Sequence, residues 1–400
     1  MILGILGAGA SGMAAALAAS ENPETQVLLL ERQARVGKKL SATGNGRCNL
    51  TNLHASEGGY FGEAPAFARP ALSAFPPEET LDWFRSLGLY TVAEDSGRVY
   101  PFSDQANSVV DVLRFALNRT NITLKTGFEV EKIKKTPEGF RLESAGEGLS
   151  CDRLIIAAGG LAGTALGGSM SGYRLLMKLG HHATRLRPAL VQLKTDWAGV
   201  ESLKGIRTEC VARVYRDETL FAESKGQVQF TQYGLSGPVI FEVSRDVGQG
   251  SGNWKCILDL LPEISEDDLR QELFRRLETG WAAEELLTGI LHNRLGRVVA
   301  RRAGVKTDRD LSAGAMETVA ELVKAFPVPI TEPMGMDSAQ VTAGGIRTEE
   351  FDPETMESRL VPGLYACGEV LDIDGACGGY NLQWAWSSGR LAGRNAGEIG

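Results

Sequence analysis

No two of the six cysteines form a CxxC pair, the four histidines show no HxxxH spacing, and no apolar run approaches the roughly 18 residues of a membrane span. The first two absences exclude the common zinc frameworks and point to a reduced chain without a metal site. The third, with an apolar strand beginning already at Ile2, leaves nothing that reads as a signal peptide or membrane anchor, so a cytoplasmic protein is expected. Positive charge is also short: 42 Lys and Arg stand against 50 Asp and Glu, a formal net charge of -8. Such a balance gives no general attraction to a phosphate backbone, so a nucleic-acid partner would need a local basic patch.

What is present begins at the amino end. The stretch "ILGILGAGASGMAAALAAS" reads as a buried strand, a glycine-broken turn and an alanine-rich helix, and "QVLLLE" follows as a second strand. Gly7, Gly9 and Gly12 spell GxGxxG at the strand-to-helix turn, and Glu31 ends the next strand. The first glycine serves the tight turn, the second lets a pyrophosphate approach the backbone, and the third lets helix and strand pack closely. Glu31 is placed to accept from a ribose hydroxyl. FAD and NAD share this fingerprint. At the other end, "YACGEV" closes a strand with Gly368 and Glu369, and "DGACGGYNLQWAWSSG" puts glycines before a second helix. Two helix amino ends at opposite ends of the chain suit an elongated ligand, FAD, better than NAD.

Between them, residues 37–105 are irregular and glycine-rich, as loops over a ligand are. Strand-like segments around "FEVEKIKK" and "FRLESA" form a small antiparallel meander before the apolar strand "RLIIAAGG". From about 190 to 335 the texture changes to β-like stretches and then helices near 265–279, 290–303 and 312–325, which reads as an insertion.

The stretches "SATGNGRCNLTN", "FTQYGLSGP" and "GLYACGEVLDIDGACGGYNLQWAWSSGRLAG" resemble bacterial FAD flavoproteins of the aminoacetone-oxidase-like and bile-acid-reductase-like NAD(P)/FAD-dependent oxidoreductases. The resemblance implies an α/β fold: a discontinuous Rossmann-like two-dinucleotide-binding FAD domain (1–190 and 336–400) with an inserted β-barrel-like domain (191–260 and 326–335) carrying a helical subdomain (261–325). It assigns Gly7, Gly9, Ala10, Ser11 and Gly12 to the pyrophosphate turn, and Glu31 with Arg32 to the adenosine ribose. Lys39, Leu40, Arg47, Cys48 and Asn49 would run along the cofactor, and Val130 would lie beside the adenine. Ala158, Gly159 and Gly160 would sit near the phosphates, Gly368 and Glu369 near the ribityl chain, and Gly379, Asn381 and Leu382 at the isoalloxazine ring. Three positions depart from the family pattern. Asn45 interrupts a usual triple glycine, Ser171 replaces an aspartate, and Gln232 stands where histidine is expected, so no proton-transfer role carries over to it.

The implied activity is hydride transfer between a small organic substrate and non-covalently bound FAD, with NAD(P)H as a possible transient donor and the insert setting specificity. The alternative is a flavin-binding protein of RNA modification or redox sensing, docking through the basic helix of Arg294, Arg297, Arg301 and Arg302. No catalytic acid or base is assigned; Tyr233 and Tyr380 are candidates only because they lie in family-matching loops. Cys48, next to Arg47, is either a thiol activated by that cation or, more plainly, a small buried residue. No second cysteine lies four residues away, as a flavin disulfide reductase requires. His181 and His182 follow a helix end, a place that favours a cation. "GQGSGN" at 248–253 lacks a third glycine at the right offset and reads as a turn.

Overall fold

A computed structural model describes residues 1–398 of the chain. It divides into two compact units, one of residues 1–188 with the chain from 340 onward, the other of residues 189–339.

The first unit is built on a five-stranded parallel sheet in the order Leu364–Ala366, Arg153–Ile156, Ile2–Leu6, Gln26–Glu31, Ile122–Thr126. Continuous apolar runs form the inner strands because both faces of a parallel sheet are covered there, while the edge strand Ile122–Thr126 is mixed and largely exposed. Ile5 pairs with Leu29 on one side and Ile155 on the other. The meander of Lys132–Thr136, Gly139–Ser144 and Glu147–Cys151 is an antiparallel sheet, as its alternating texture predicts.

The first helix, Ala10–Ala19, is buried at nine of its ten positions. Alanine makes this possible, because the C-terminal helix, Tyr380–Gly397, crosses it at backbone distance. Gly389, Gly393 and Gly397 of that helix recur every fourth residue and face Ser11, Ala15 and Ala19, which recur likewise. A Cβ at Gly393 would stand 2.2 Å from the Ala15 carbonyl oxygen, and one at Gly389 2.4 Å from that of Ser11.

The second unit holds a seven-stranded antiparallel sheet in the order Phe326–Ile330, Trp254–Asp259, Arg207–Arg216, Thr219–Phe230, Gly234–Ser236, Leu193–Lys194, Glu332–Pro333. Its two edge strands are consecutive in the chain, separated by Thr331 alone. The sheet therefore curls until its edges meet, which is the barrel-like form expected. Helices Glu266–Glu278, Asn293–Arg302 and Ala313–Lys324 share one hydrophobic core with this sheet through Leu273, Leu295, Val299 and Met316.

Candidate functional site

In the first unit, strand Ile2–Leu6 leads through its helix to one neighbour, while its other neighbour, Arg153–Ile156, arrives from far along the chain. The strand order reverses between them, and open α/β sheets bind ligands at the carboxyl ends of such a pair. Those ends carry Gly7 to Gly12 and Ala158 to Gly160.

The three fingerprint glycines are required for three different reasons. At Gly7, φ is +104° and a Cβ would lie 2.4 Å from the Ala157 carbonyl oxygen, so the turn itself demands glycine. At Gly12 a Cβ would meet the Gly7 carbonyl oxygen at 1.8 Å. At Gly9 a Cβ would meet no protein atom within 4 Å. The protein keeps open space over the first turn of the helix, where the N–H groups of Ala10, Ser11 and Gly12 have no intrahelical partner. This cradle, facing unpaired donors, fits the pyrophosphate of a dinucleotide.

Glu31 lies beside that turn. Its two carboxylate oxygens accept from the backbone N–H groups of Ala8 (2.8 Å) and Gln33 (2.7 Å), which fixes its orientation and leaves further lone pairs. Arg32 donates to the Gly167 carbonyl and stands 3.8 Å from Glu129. Val130 is buried among core side chains, as is Leu40.

Lys39 and Glu369, 330 residues apart in sequence, form an ion pair at 2.8 Å. Glu369 also accepts from the Thr342 N–H, and the Thr342 hydroxyl accepts from the N–H groups of Leu161 and Ala162. Thr342 thereby ties the segment that follows strand Arg153–Ile156 to Glu369. A Cβ at Gly160 would strike the Glu369 carboxylate at 2.3 Å, and one at Gly368 the Ser11 hydroxyl at 2.6 Å. The residues from 158–160, 368–369 and the first helix thus converge.

A second group forms at the start of the C-terminal helix. With its amide oriented to satisfy its neighbours, Asn49 accepts from the Gly379 N–H at 3.3 Å and donates to the Thr51 carbonyl. Asn381 is bonded twice to Gly375, accepting from its N–H and donating to its carbonyl, both at 2.8 Å. Its side chain closes the 375–381 loop, and what the helix start offers a ligand is backbone N–H, including that of Leu382. Tyr380 meets Tyr60 edge to face at 5.9 Å, and the Tyr60 hydroxyl donates to the Tyr380 carbonyl. Sequence reasoning did not single out Thr342, Tyr60 or Gln383. Gln383 is wholly buried and joins Thr51, Thr80, Ser387 and the Phe75 carbonyl. Its only sequence signal is an amide among the tryptophans of an apolar helix.

Of the two readings of Cys48 the plainer one holds, and the reading of His181 is corrected. Cys48 is fully buried and burial pushes its thiol up to about 12, while the Arg47 guanidinium is engaged by Asp104 and Glu94 and stacked on Tyr100, so burial opposes a thiolate at this position. His181 is not a helix-end cation: it is buried, stacked on Phe351 at 4.9 Å and bonded to the Ser358 hydroxyl, and burial lowers its pKa. The exposed His182 instead contacts Glu350 at 2.6 Å. Asn45 adopts φ of +57° between Gly44 and Gly46, so it serves the turn that glycine serves elsewhere. Ser171 bonds the Ser169 hydroxyl at the start of its helix.

In the second unit, Tyr233 is 58% exposed on a tight turn, and the Gln232 side-chain oxygen accepts from Lys204 at 2.9 Å. Arg294 reaches the Ser202 and Lys204 carbonyls, and Arg302 lies over Trp197 and Phe326, so two of the four helix arginines are occupied in holding the fold. Among the described residues no cluster of three metal-ligating side chains occurs, and no helix is long and apolar enough to cross a membrane.

The chain is 40% identical over 405 residues, 99% of both sequences, to the 3-dehydro-bile acid delta(4,6)-reductase of Clostridium scindens. It is 32% identical to the ribosomal RNA dihydrouridine synthase of Escherichia coli, covering 96% of this chain and 95% of that one. The fold is similar to that of the 3-ketosteroid delta1-dehydrogenase of Sterolibacterium denitrificans, with a TM-score of 0.51, 14% identity and 99% of each chain covered. The HI0933-like Rossmann domain model matches residues 2–395. With a dinucleotide cradle at the strand-order reversal and this match along nearly its whole length, the chain belongs to the HI0933-like family and is an FAD-dependent oxidoreductase.

Proposed function

We propose that the protein reduces a carbon–carbon double bond conjugated to a ketone in a polycyclic substrate of the 3-oxo bile-acid kind, with NADH or NADPH as a transient electron donor. The observation that carries this reading is the 40% identity, end to end, to a protein named for that reduction. A ketone conjugated to ring double bonds is electrophilic at the far carbon. Hydride adds there and a proton adds at the neighbouring carbon, so two electrons and two hydrogens enter and one double bond is lost. Dihydrouridine synthesis is the same type of reaction, because the uracil double bond is also conjugated to a carbonyl.

Bound FAD, once reduced, supplies the hydride from N5. The chain's own residues bind and orient. In this reading the N–H groups of Gly9, Ala10, Ser11 and Gly12 hold the pyrophosphate, and Glu31 and Arg32 take the adenosine ribose, with Val130 beside the adenine. Lys39, with its ion-pair partner Glu369, would lie along the phosphate and ribityl part of the cofactor together with Leu40, Ala158, Gly159, Gly160 and Gly368. Arg47, Cys48 and Asn49 belong to the loop along the cofactor. The helix start at Gly379, Asn381 and Leu382 would present its positive end to the bound ring and would favour its electron-rich, reduced form.

No second strand-GxGxxG-helix unit occurs between residues 130 and 335, so nicotinamide has no phosphate cradle of its own. Its saturation is expected in the high micromolar range or weaker, at the upper part of the common span of about 1 μM to 1 mM. The test is anaerobic: the purified flavoprotein is reduced with NADPH or NADH, then mixed with a 3-oxo-4-ene bile acid or with a uridine-containing ribosomal RNA fragment. Return of oxidised flavin absorbance with the bile acid, and recovery of its saturated ketone, is the expected result. Return with the RNA alone overturns it in favour of the second reading, uracil reduction, which the 32% identity to a dihydrouridine synthase favours.

A further inference from the structure

We propose that a depression on the second unit is a binding site for the apolar ring body of a polycyclic ketone, with Tyr233 as its anchor. The choice of ligand rests on the reaction proposed above; the site itself rests on the second unit alone. The depression has a volume of about 460 Å³ and is lined by Lys194, Asp196, Gln232, Tyr233, Thr331 and Met334. That volume lies in the range of sites for compact organic ligands, about 300 to 1,000 Å³.

Tyr233 stands at the tip of the turn joining strands Thr219–Phe230 and Gly234–Ser236, with more than half of its surface in solvent. The turn around it is fixed on both sides. The Thr195 N–H donates to the Tyr233 carbonyl at 3.0 Å, the Thr231 hydroxyl accepts from the N–H groups of Tyr233 and Gly234, and the Thr231 N–H donates to the Gly234 carbonyl at 2.8 Å. A large ring held out on a rigid turn loses little conformational freedom when a ligand covers it, and it brings a wide apolar face. Met334 adds an adaptable apolar wall.

The polar groups of the lining leave Lys194 unavailable to hold a phosphate. Lys194 is paired with Glu332 at 2.7 Å, which removes it as a free cation, and Asp196 lies in the lining. Lys204 holds the Gln232 oxygen, which leaves the amide nitrogen to donate to a ketone or hydroxyl. Asp196 is suited to accept from a ring hydroxyl. The combination fits an uncharged, hydroxyl-bearing ring skeleton and disfavours a phosphate-bearing strand.

The test uses the flavin-loaded full chain and a 3-dehydro-bile acid that lacks the ring double bonds, so that binding is measured without turnover. Calorimetry should show binding by the unaltered protein, at least about tenfold weaker binding by Tyr233→Ala, and near-normal binding by Tyr233→Phe, with melting temperature and flavin spectrum unchanged. Binding by Tyr233→Ala equal to that of the unaltered protein overturns the proposal, as does no binding at all or Tyr233-dependent binding of a uridine oligonucleotide. Tyr233-dependent binding without flavin reoxidation by the unsaturated acids would leave the site standing and remove the reaction.

Discussion

Gly9 and Gly12 separate ligand binding from folding within one turn. Gly9→Val adds atoms only to the open cradle, so the protein should fold with an ordinary melting temperature and come off purification colourless. Gly12→Val drives a side chain into the Gly7 carbonyl and should destabilise by about 3 kcal/mol or more, read as a lowered melting temperature whether or not flavin is added. A yellow, folded Gly9→Val protein would contradict the assignment of the turn.

The buried thiols of Cys48, Cys151, Cys210 and Cys367 are each pushed up to about 12 by burial. In the unfolded chain such thiols lose their protons near pH 9, whereas the folded chain keeps them protonated, so above that pH the folded state binds more protons. Stability should therefore fall between about pH 9 and 12, and alkaline urea titrations check this. His181 works on the other side. Its pKa is lowered by burial, so as pH falls below about 6.5 the unfolded chain takes up a proton that the folded one refuses, and stability declines. His181→Gln, which keeps a polar partner for Ser358, should reduce that acid-side slope.

At the scale of elements, the crossing of helices Ala10–Ala19 and Tyr380–Gly397 is a contact that a single change can break. Gly393→Val would place a branched side chain against the Ala15 backbone and should cost about 3 kcal/mol or more, by separating the helix that carries the fingerprint from the helix that carries Gly379. Loss of flavin affinity should accompany the loss of stability, and flavin absorbance recorded during a denaturant titration tests the pair. A smaller effect is expected at Ser265, whose hydroxyl accepts from the Asp268 N–H at the start of helix Glu266–Glu278. Ser265→Ala should cost about 1 kcal/mol without altering the flavin, because the cap lies in the second unit's own core structure.

For the whole molecule, a cofactor that binds only the folded state adds stability by mass action. FAD at a hundredfold excess over its dissociation constant should contribute about 2.7 kcal/mol, seen as a melting temperature that rises with added FAD. The Gly9→Val protein should show no such rise. The alternation of buried strands and helices, the change of texture to β-like stretches and then helices over residues 190–335, and the pair of helix starts were all legible as pattern. Period-two and period-3.6 apolar spacing reflects which face is buried, and that is local information. Partners distant in sequence were not legible: Lys39 with Glu369, Glu369 with Thr342, and Gln383 with Thr51 and Phe75.

The sequence by itself determined that a strand, a glycine turn and a helix stand at the amino end with an acid one strand later, because those features depend on backbone sterics and short spacing. It also determined that Gly7, Gly9 and Gly12 matter. Only the tertiary structure decided why each does: the atoms that would meet a Cβ at Gly7 and Gly12, and the empty space at Gly9, belong to segments that fold around the turn. The same holds for charge. Arg47 beside Cys48 leaves both a thiolate and a plain buried thiol open from the sequence, but side-chain direction and burial are settled by packing, and packing sends the cation to Asp104 and Glu94 and seals the sulfur inside. Electrostatic effects depend on distance and desolvation, neither of which adjacency in a chain specifies.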